Sequence, residues 1–487
     1  MRSAASSQTQ FVIAGSLLAM FMFVFAAAVS AGVAEMAAAP SKNPVTPEKK
    51  PEANPLCFMD GKLCLDIQDR LRFEGRENTF DFNGDTDSLT DDAFLLNRFR
   101  IGILFKPVDW LKFYAQGQDV QEWGSDRPDI PKAMGAEGDD NFDLRQGYIQ
   151  VGPKSFNLTL GRQLLAFGDE RLVGLGDWNN FGNNWDAVRL QLIRPKFSVD
   201  LFAASIVNIY RDSFNFSDLF NGSETHRGQV FSGIYASTSV VDFQVMDFYA
   251  LLLDQEVPNP TAPAITSPAT FTGLSGKRTD FVTLGTRIHG DPKKLHGWEY
   301  EGEFAFQTGK VAELDLSAFA AHIGAGYNFP CAWKPRLFLE YNYASGDSDP
   351  ADSDIGTFQN LFPSNHKFYG YMDLFSWQNI HNPELSLKAK PCKQLGLEAD
   401  FHGFWLADTN DAWYRANGVT KVRPITPASR AASSYVGSEI DLLVTYQPVK
   451  FLNILAGYSH FFAGDYLNAT GPSDDADFGY VQATISF

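Results

Sequence analysis

The chain has 487 residues, and its 40 Lys+Arg against 58 Asp+Glu give a formal net charge of −18. That balance excludes a nucleic-acid binder working by bulk electrostatics, because a polyanion would be repelled. Hydrophobic residues at 44% and charged ones at 20% exclude a disordered chain, and apart from one N-terminal stretch the apolar runs of a polytopic helical membrane protein are missing. Aromatics reach 14%, with 42 Phe, beside 40 Gly. Such a mixture suits alternating strands with one apolar face.

In chain order, the first element is an export signal. Arg2 precedes an apolar stretch from Phe11 to Val29, and Val29-Ser30-Ala31 supplies a small-residue cleavage pattern, with Ala34 as a second choice. Residues 1–31 therefore read as a signal peptide; a retained membrane helix is the rival. Residues 32–62 read as a periplasmic linker, because Pro40, Pro44, Pro47, Pro51 and Pro55 among polar residues cannot build a core. Its end carries Cys57 and Cys64 around Asp60-Gly61, a favoured hairpin turn. Counting outward sets the two cysteines opposite each other, so a disulfide is geometrically plausible in an oxidising compartment. A zinc knuckle is the weaker alternative, with no His nearby. The pairing of Cys331 and Cys392 stays open.

From Leu63 to Phe487, period-two segments of about ten residues recur, the length a tilted strand needs to cross a bilayer. Trp298, Tyr300, Phe304 and Phe306 share one face of their segment, while Glu299, Glu301 and Glu303 share the other. Leu395–Trp405 and Glu439–Tyr446 alternate in the same way. Short turns recur at Lys106-Pro107, Pro153-Lys154, Pro195-Lys196, Ser237–Val241, Pro292-Lys293, Lys334-Pro335, Lys390-Pro391 and Pro448–Lys450. Between them run long loops rich in Asp, Asn and Gly, such as Glu77–Asp92, Glu122–Asp143 and Asp347–Asn382. Eight short turns, a strand on each side of every turn and one strand at either end make 18 strands. The fold class is all-β, a transmembrane antiparallel barrel over residues 63–487, with short periplasmic turns and long extracellular loops. Its place is the outer membrane of a Gram-negative-type bacterium, where the apolar faces would meet lipid and lipopolysaccharide. Trp110, Trp298 and Trp333 sit beside the periplasmic turns, as an interfacial girdle requires. The chain stops on an aromatic-ended strand, Tyr480 to Phe487. In barrels of this class the terminal Phe helps the barrel-assembly machinery recognise its client.

Several segments then resemble a known family. Arg70-Leu-Arg-Phe-Glu, Asn97-Arg-Phe-Arg-Ile-Gly, Leu144-Arg-Gln-Gly-Tyr, Leu160-Gly-Arg-Gln, Asn342-Tyr-Ala-Ser-Gly-Asp and Leu361–Asp373 are similar to the alginate-export outer-membrane porins. The resemblance implies a monomeric barrel of 18 strands in which arginines line a conduit for a polyuronate. The matching positions are Arg98 or Arg100, Arg145 and Arg162.

Strand parity places Arg70, Arg72, Arg98, Arg100 and Arg189 on the lumen side of the first six strands, with Arg145 joining them. Strands 11 to 16 present Glu299, Glu301, Glu303, Glu340, Glu398, Asp400, Glu439 and Asp441. These arcs lie roughly opposite in the ring, so a basic wall faces an acidic one. Either the charges sort cargo or they merely pair with one another. Arg162 shares parity with Phe156, Leu158 and Leu160, and needs a bulge or a position above the lipid. The loops Asp347–Asn382 and Ala407–Tyr435 are candidates to fold inward; Lys421, Arg423 and Arg430 would make the second a basic plug. Asp81, Asn83, Asp85, Asp87 and Asp92 space like a calcium loop, yet Thr86 replaces the turn glycine and the last ligand is Asp, so a solvated loop is expected. The eight His show no metal spacing, no nucleophile elbow or phosphate loop appears, and neighbours Ser459 and His460 point to opposite faces. No enzyme, cofactor or metal is expected. The cargo expected is an anionic polysaccharide or oligosaccharide; the alternatives are a general porin for small anions or sugars, and a plugged structural or adhesive barrel.

Overall fold

The structure is a computed structural model that describes residues 56–86, 91–127, 138–211, 213–217, 229–256 and 277–487. The expected signal peptide and the linker as far as residue 55 lie outside them. Eighteen long strands form the wall: β1 Leu63–Glu77, β2 Ala93–Val108, β3 Leu111–Trp123, β4 Asp140–Val151, β5 Phe156–Gln163 and β6 Trp185–Arg194. They continue as β7 Phe197–Asn208, β8 Gln229–Thr238, β9 Gln244–Glu256, β10 Arg278–Gly290, β11 Trp298–Val311 and β12 Leu314–Asn328. The last six are β13 Arg336–Ala344, β14 Ile380–Ala389, β15 Leu395–Leu406, β16 Tyr435–Val449, β17 Leu452–Ala463 and β18 Ala476–Ser486. Each pairs antiparallel with the next, and β18 returns to β1 in register from Gln68↔Ser486 to Glu77↔Asp477. Closure leaves no free edge, the condition for a sheet to cross lipid.

Side-chain period two sorts the faces. On β2, Ile101, Ile103 and Phe105 alternate with buried Phe94, Leu96, Arg98 and Arg100. Ile103, Leu160, Phe304, Leu339 and Leu387 are among the large apolar side chains left exposed on the outside, where hydrocarbon is the solvent. Trp110, Trp298 and Trp333 stand exposed at the periplasmic end. Phe487 stacks on Phe451 with ring centres 5.4 Å apart, and its backbone exchanges hydrogen bonds with Ile67 on the first strand.

The core lies inside the barrel, in its extracellular half. The segment 347–379 turns inward and buries Phe358, Phe362, Tyr369, Met372, Phe375 and Trp377. Phe375 stacks on Phe404 at 3.9 Å, and Phe362 meets Trp185 edge-on at 4.6 Å. The segment 164–184 also turns inward, joined to the first by hydrogen bonds such as Phe362 N to Leu172 O, 2.9 Å. Of the loop 407–435, Trp413 is buried in this core, but the basic plug does not form: Lys421 and Arg430 stay exposed, and Arg423 stacks over Phe82 at 5.6 Å. Among the described residues no helix is long and apolar enough to cross a membrane.

Candidate functional site: two charged walls and the loop between them

The basic wall starts from register. Arg70 on β1 faces Arg98 on β2 directly, and Arg100 sits one inward step away, opposite Gln68. Like charges directly opposite are unfavourable, so this pairing needs an anion. Arg145 joins them through a bulge: Gln146 pairs with Gln116 and Leu144 with Gly117, which leaves Arg145 as the extra residue turned inward. The bulge breaks the period-two alternation of this strand. The guanidinium then passes beside Gly182, where φ is +65° and a Cβ would fall 2.8 Å from Arg145 Nη2. Only glycine fits there without displacement.

The anion comes from the inward loop 164–184. Arg98 Nη2 lies 3.1 Å from Asp177 Oδ2, Arg100 Nη1 lies 2.8 Å from Oδ1, and Arg145 Nη2 lies 3.5 Å from Oδ1. Backbone carbonyls take other donors: Arg70 Nη1 reaches Asp177 O at 2.7 Å, Arg72 Nη1 reaches Trp178 O at 2.6 Å, and Arg145 Nη1 reaches Phe181 O. Arg72 also covers the Trp178 ring at 3.9 Å, and His366 stacks on it at 3.7 Å. Burial alone would raise the Asp177 carboxyl, but Arg98, Arg100, Arg145 and Arg70 outweigh it and hold the group well below the usual carboxylate range. Yet 42% of this side chain remains open to the lumen. A carboxylate docked on three guanidiniums, with solvent on its other side, is the geometry of an exchangeable anion site.

The acidic wall is also set by register. Glu301, Gly324, Glu340, Glu384, His402 and Glu439 follow one another as cross-strand neighbours from β11 to β16. Asp400 faces Asp441 in the adjoining row, and Ser459 donates to Asp441. Several acids have local partners: Glu299 with Arg336 at 2.5 Å, and Glu398 with Lys388 at 2.6 Å. Glu439 accepts from Met372 N at 3.0 Å; a Cβ at Gly370, where φ is +83°, would sit 2.6 Å from that carboxylate. Here again the loop supplies the opposite charge. Arg171 contacts Glu340 and lies 3.0 Å from Asp169 Oδ2 and 3.9 Å from Glu301. Burial would lower Arg171, but Glu340 and Asp169 hold it well above its ordinary value. One loop thus carries an anion to the basic wall and a cation to the acidic wall.

Of the arginines expected in the lumen, Arg70, Arg72, Arg98, Arg100 and Arg145 converge on residues 177–181. Arg189 does not; it pairs with Asp200 at 2.6 Å on its own neighbouring strand. Arg162 is a correction. It sits on the outer face with Leu160, pairs with Asp186 at 2.9 Å and lies 5.5 Å from the Phe214 ring. The β5 register runs without a shift, so no bulge turns Arg162 inward. Asp177, Arg171, Asp169, Glu384 and His322 were not anticipated. Asp92 is engaged by Arg127 at 3.2 Å and by Ser125, and Asp87 lies outside the described residues. Cys57 and Cys64 are disulfide-bonded in a two-residue ladder, whereas Cys331 and Cys392 are free. Ser459 faces Asp441 inside, while His460 Nδ1 meets Asp477 on the other face at 2.8 Å.

Comparison with known proteins agrees with this architecture. The outer-membrane protein OprD from Pseudomonas aeruginosa superposes with a TM-score of 0.54 at 11% identity, covering 88% of this chain and 94% of that one. OccK11 (OpdR) of the same organism gives 0.54 at 10%, covering 87% and 96%. OpdK, solved with vanillate, gives 0.56 at 11%, covering 87% and 98%. A search of curated protein sequences finds no match. The family model described as alginate export matches residues 62–481. Family and fold are those of outer-membrane channels, which are not enzymes, and they point to a bacterial outer membrane. The chain belongs to the alginate export family, as an outer-membrane channel of 18 strands.

Proposed function

We propose that the channel passes an anionic polysaccharide or oligosaccharide along its arginine wall, in the outer membrane of a Gram-negative-type bacterium. The observation that carries this reading is Asp177, a carboxylate seated on Arg98, Arg100 and Arg145 and still open to the lumen. A uronate carboxylate has the same charge and the same acceptor geometry as that aspartate. It would displace Asp177 and hand on between guanidiniums that each bind it weakly enough to release it. The acidic wall repels such a cargo and keeps it on the arginine side.

A second reading, a porin for small anions, is favoured by the two loops that narrow the lumen and by the likeness to OpdK, which was solved with vanillate. Single-channel conductance in a planar bilayer separates the two. An oligouronate that interrupts the current while a neutral oligosaccharide of equal length does not is the expected result. Anion conduction indifferent to the oligouronate would replace the saccharide reading with the small-anion one. A silent channel would return the plugged structural barrel.

A further inference from the structure

The acidic wall holds a constellation that anion passage does not use. Glu303 on β11 and His322 on β12 are direct cross-strand partners facing the lumen. Asp169, from the inward loop, reaches the same point, so that one donor atom of each residue lies within 4.8 Å of the others. Buried imidazoles ordinarily hydrogen-bond through at least one nitrogen. The His322 side chain is fully buried, at 0% exposure, yet neither ring nitrogen has a hydrogen-bond partner among the described residues. Nε2 stands 3.9 Å from Asp169 Oδ2, and Nδ1 stands 4.0 Å from Glu340 Oε1. Glu303 accepts from the Tyr249 hydroxyl at 2.5 Å through Oε1, while its Oε2 also has no hydrogen-bond partner among the described residues. Donor atoms of three side chains therefore converge, and among the described residues no hydrogen bond engages either His322 nitrogen or Glu303 Oε2.

The charge balance points the same way. Asp169, Asp247, Glu301, Glu303 and Glu340 surround two guanidiniums, Arg171 and Arg287. A divalent ion would add positive charge among these five carboxyls. We propose that Asp169, Glu303 and His322 form a binding site for a divalent first-row transition metal of the zinc class. One imidazole and two carboxylates are the donors such ions take, whereas calcium and magnesium prefer oxygen alone. Tetrahedral zinc sets neighbouring donors about 3.4 Å apart, so the carboxylates close on the ion by about an ångström through side-chain rotation. The second grouping, Glu301, His322 and Glu340, shares His322; Asp169 and Glu340 both contact Arg171, and the first grouping is favoured because Glu303 Oε2 has no hydrogen-bond partner among the described residues. Two ligands belong to the wall and one to the loop that carries Asp177, so the ion staples that loop to the barrel.

The test uses the full-length folded barrel in detergent, with Cys331→Ser and Cys392→Ser to remove the free thiols, and Zn²⁺ as the probe in equilibrium dialysis and calorimetry. One ion per chain is expected, with affinity falling at least tenfold in His322→Gln and again in Glu303→Gln. Both variants are first checked for the heat-modifiable gel shift of a folded barrel. Zn²⁺ should also protect the 164–184 loop from protease in the parent and in neither variant. Binding unchanged by both substitutions, or a parent that binds no more Zn²⁺ than His322→Gln, would overturn the site. Displacement of Zn²⁺ by equimolar Ca²⁺ would overturn the metal class.

Discussion

Asp177→Asn removes one negative charge from the narrow part of the lumen and keeps the size of the side chain. The loop should stay in place, because Arg70 and Arg72 hold it through the Asp177 and Trp178 carbonyls, at 2.7 Å and 2.6 Å. The effect is therefore electrostatic. For an ion passing about 5 Å away, one unit charge is worth about 0.8 kcal/mol at the dielectric of water. Screening at 0.1 M salt trims this to about 0.5 kcal/mol. Local anion concentration then rises a little over twofold and cation concentration falls by the same factor, so the permeability ratio shifts about fivefold toward anions. The solvent-open side of Asp177 justifies the high dielectric. The assay is the reversal potential of single channels under a KCl gradient. A ratio unchanged from the parent would refute the placement of Asp177 in the conducting path.

Arg171→Gln leaves the buried Glu340 and Asp169 without their cation, which costs about 3–5 kcal/mol when one partner of a buried pair is removed. That loss should appear as protease sensitivity of the 164–184 loop with the heat-modifiable barrel retained; a loop as resistant as the parent's would contradict it. The Asp177 carboxyl is depressed, so its contribution is complete above the ordinary carboxylate range near 3.9 and fades only as pH falls below it. The difference in selectivity between the parent and Asp177→Asn should accordingly stay constant from pH 8 to pH 5, and a parent that approaches the variant at pH 5 argues against the arginine clamp. Cys57→Ser opens a loop of sequence separation 7 at the barrel's edge. About 2 kcal/mol of local stability is expected to go, seen as faster amide exchange around residues 57–64 with no change in barrel unfolding.

The wall was legible because two signals repeat along it. Side chains alternate with period two, and Pro and Lys mark seven of the eight periplasmic turns, so even Glu301, Glu303 and Glu340 could be assigned to the lumen from parity. Parity also warned against Arg162, whose outward position follows from its company with Leu160. The contents of the lumen were not legible in the same way. Neither parity nor a turn motif singles out residues 164–184, yet Leu164, Leu165, Phe167, Leu172, Val173 and Leu175 are too apolar for a solvated loop, and that is the signal that marks an inward fold. Asp177 and Arg171 act through contacts with strands tens to more than a hundred residues away, so no spacing announces them. Glu384 was hidden beside Pro383, where the β14–β15 ladder skips from His381↔Trp405 to Glu384↔His402. His322 gave no metal spacing because its partners arrive from a separate loop and a neighbouring strand.

The most direct test of the arginine path compares oligouronate block in single channels of the parent and of Arg98→Gln with Arg100→Gln combined. Asp177 shows how these two side chains hold a carboxylate, at 3.1 Å and 2.8 Å. Charge-assisted hydrogen bonds of this kind are worth about 1.5–3 kcal/mol each, so the double variant should need at least tenfold more oligouronate for half-block, while still conducting. Equal block in parent and variant would contradict passage along the arginine wall.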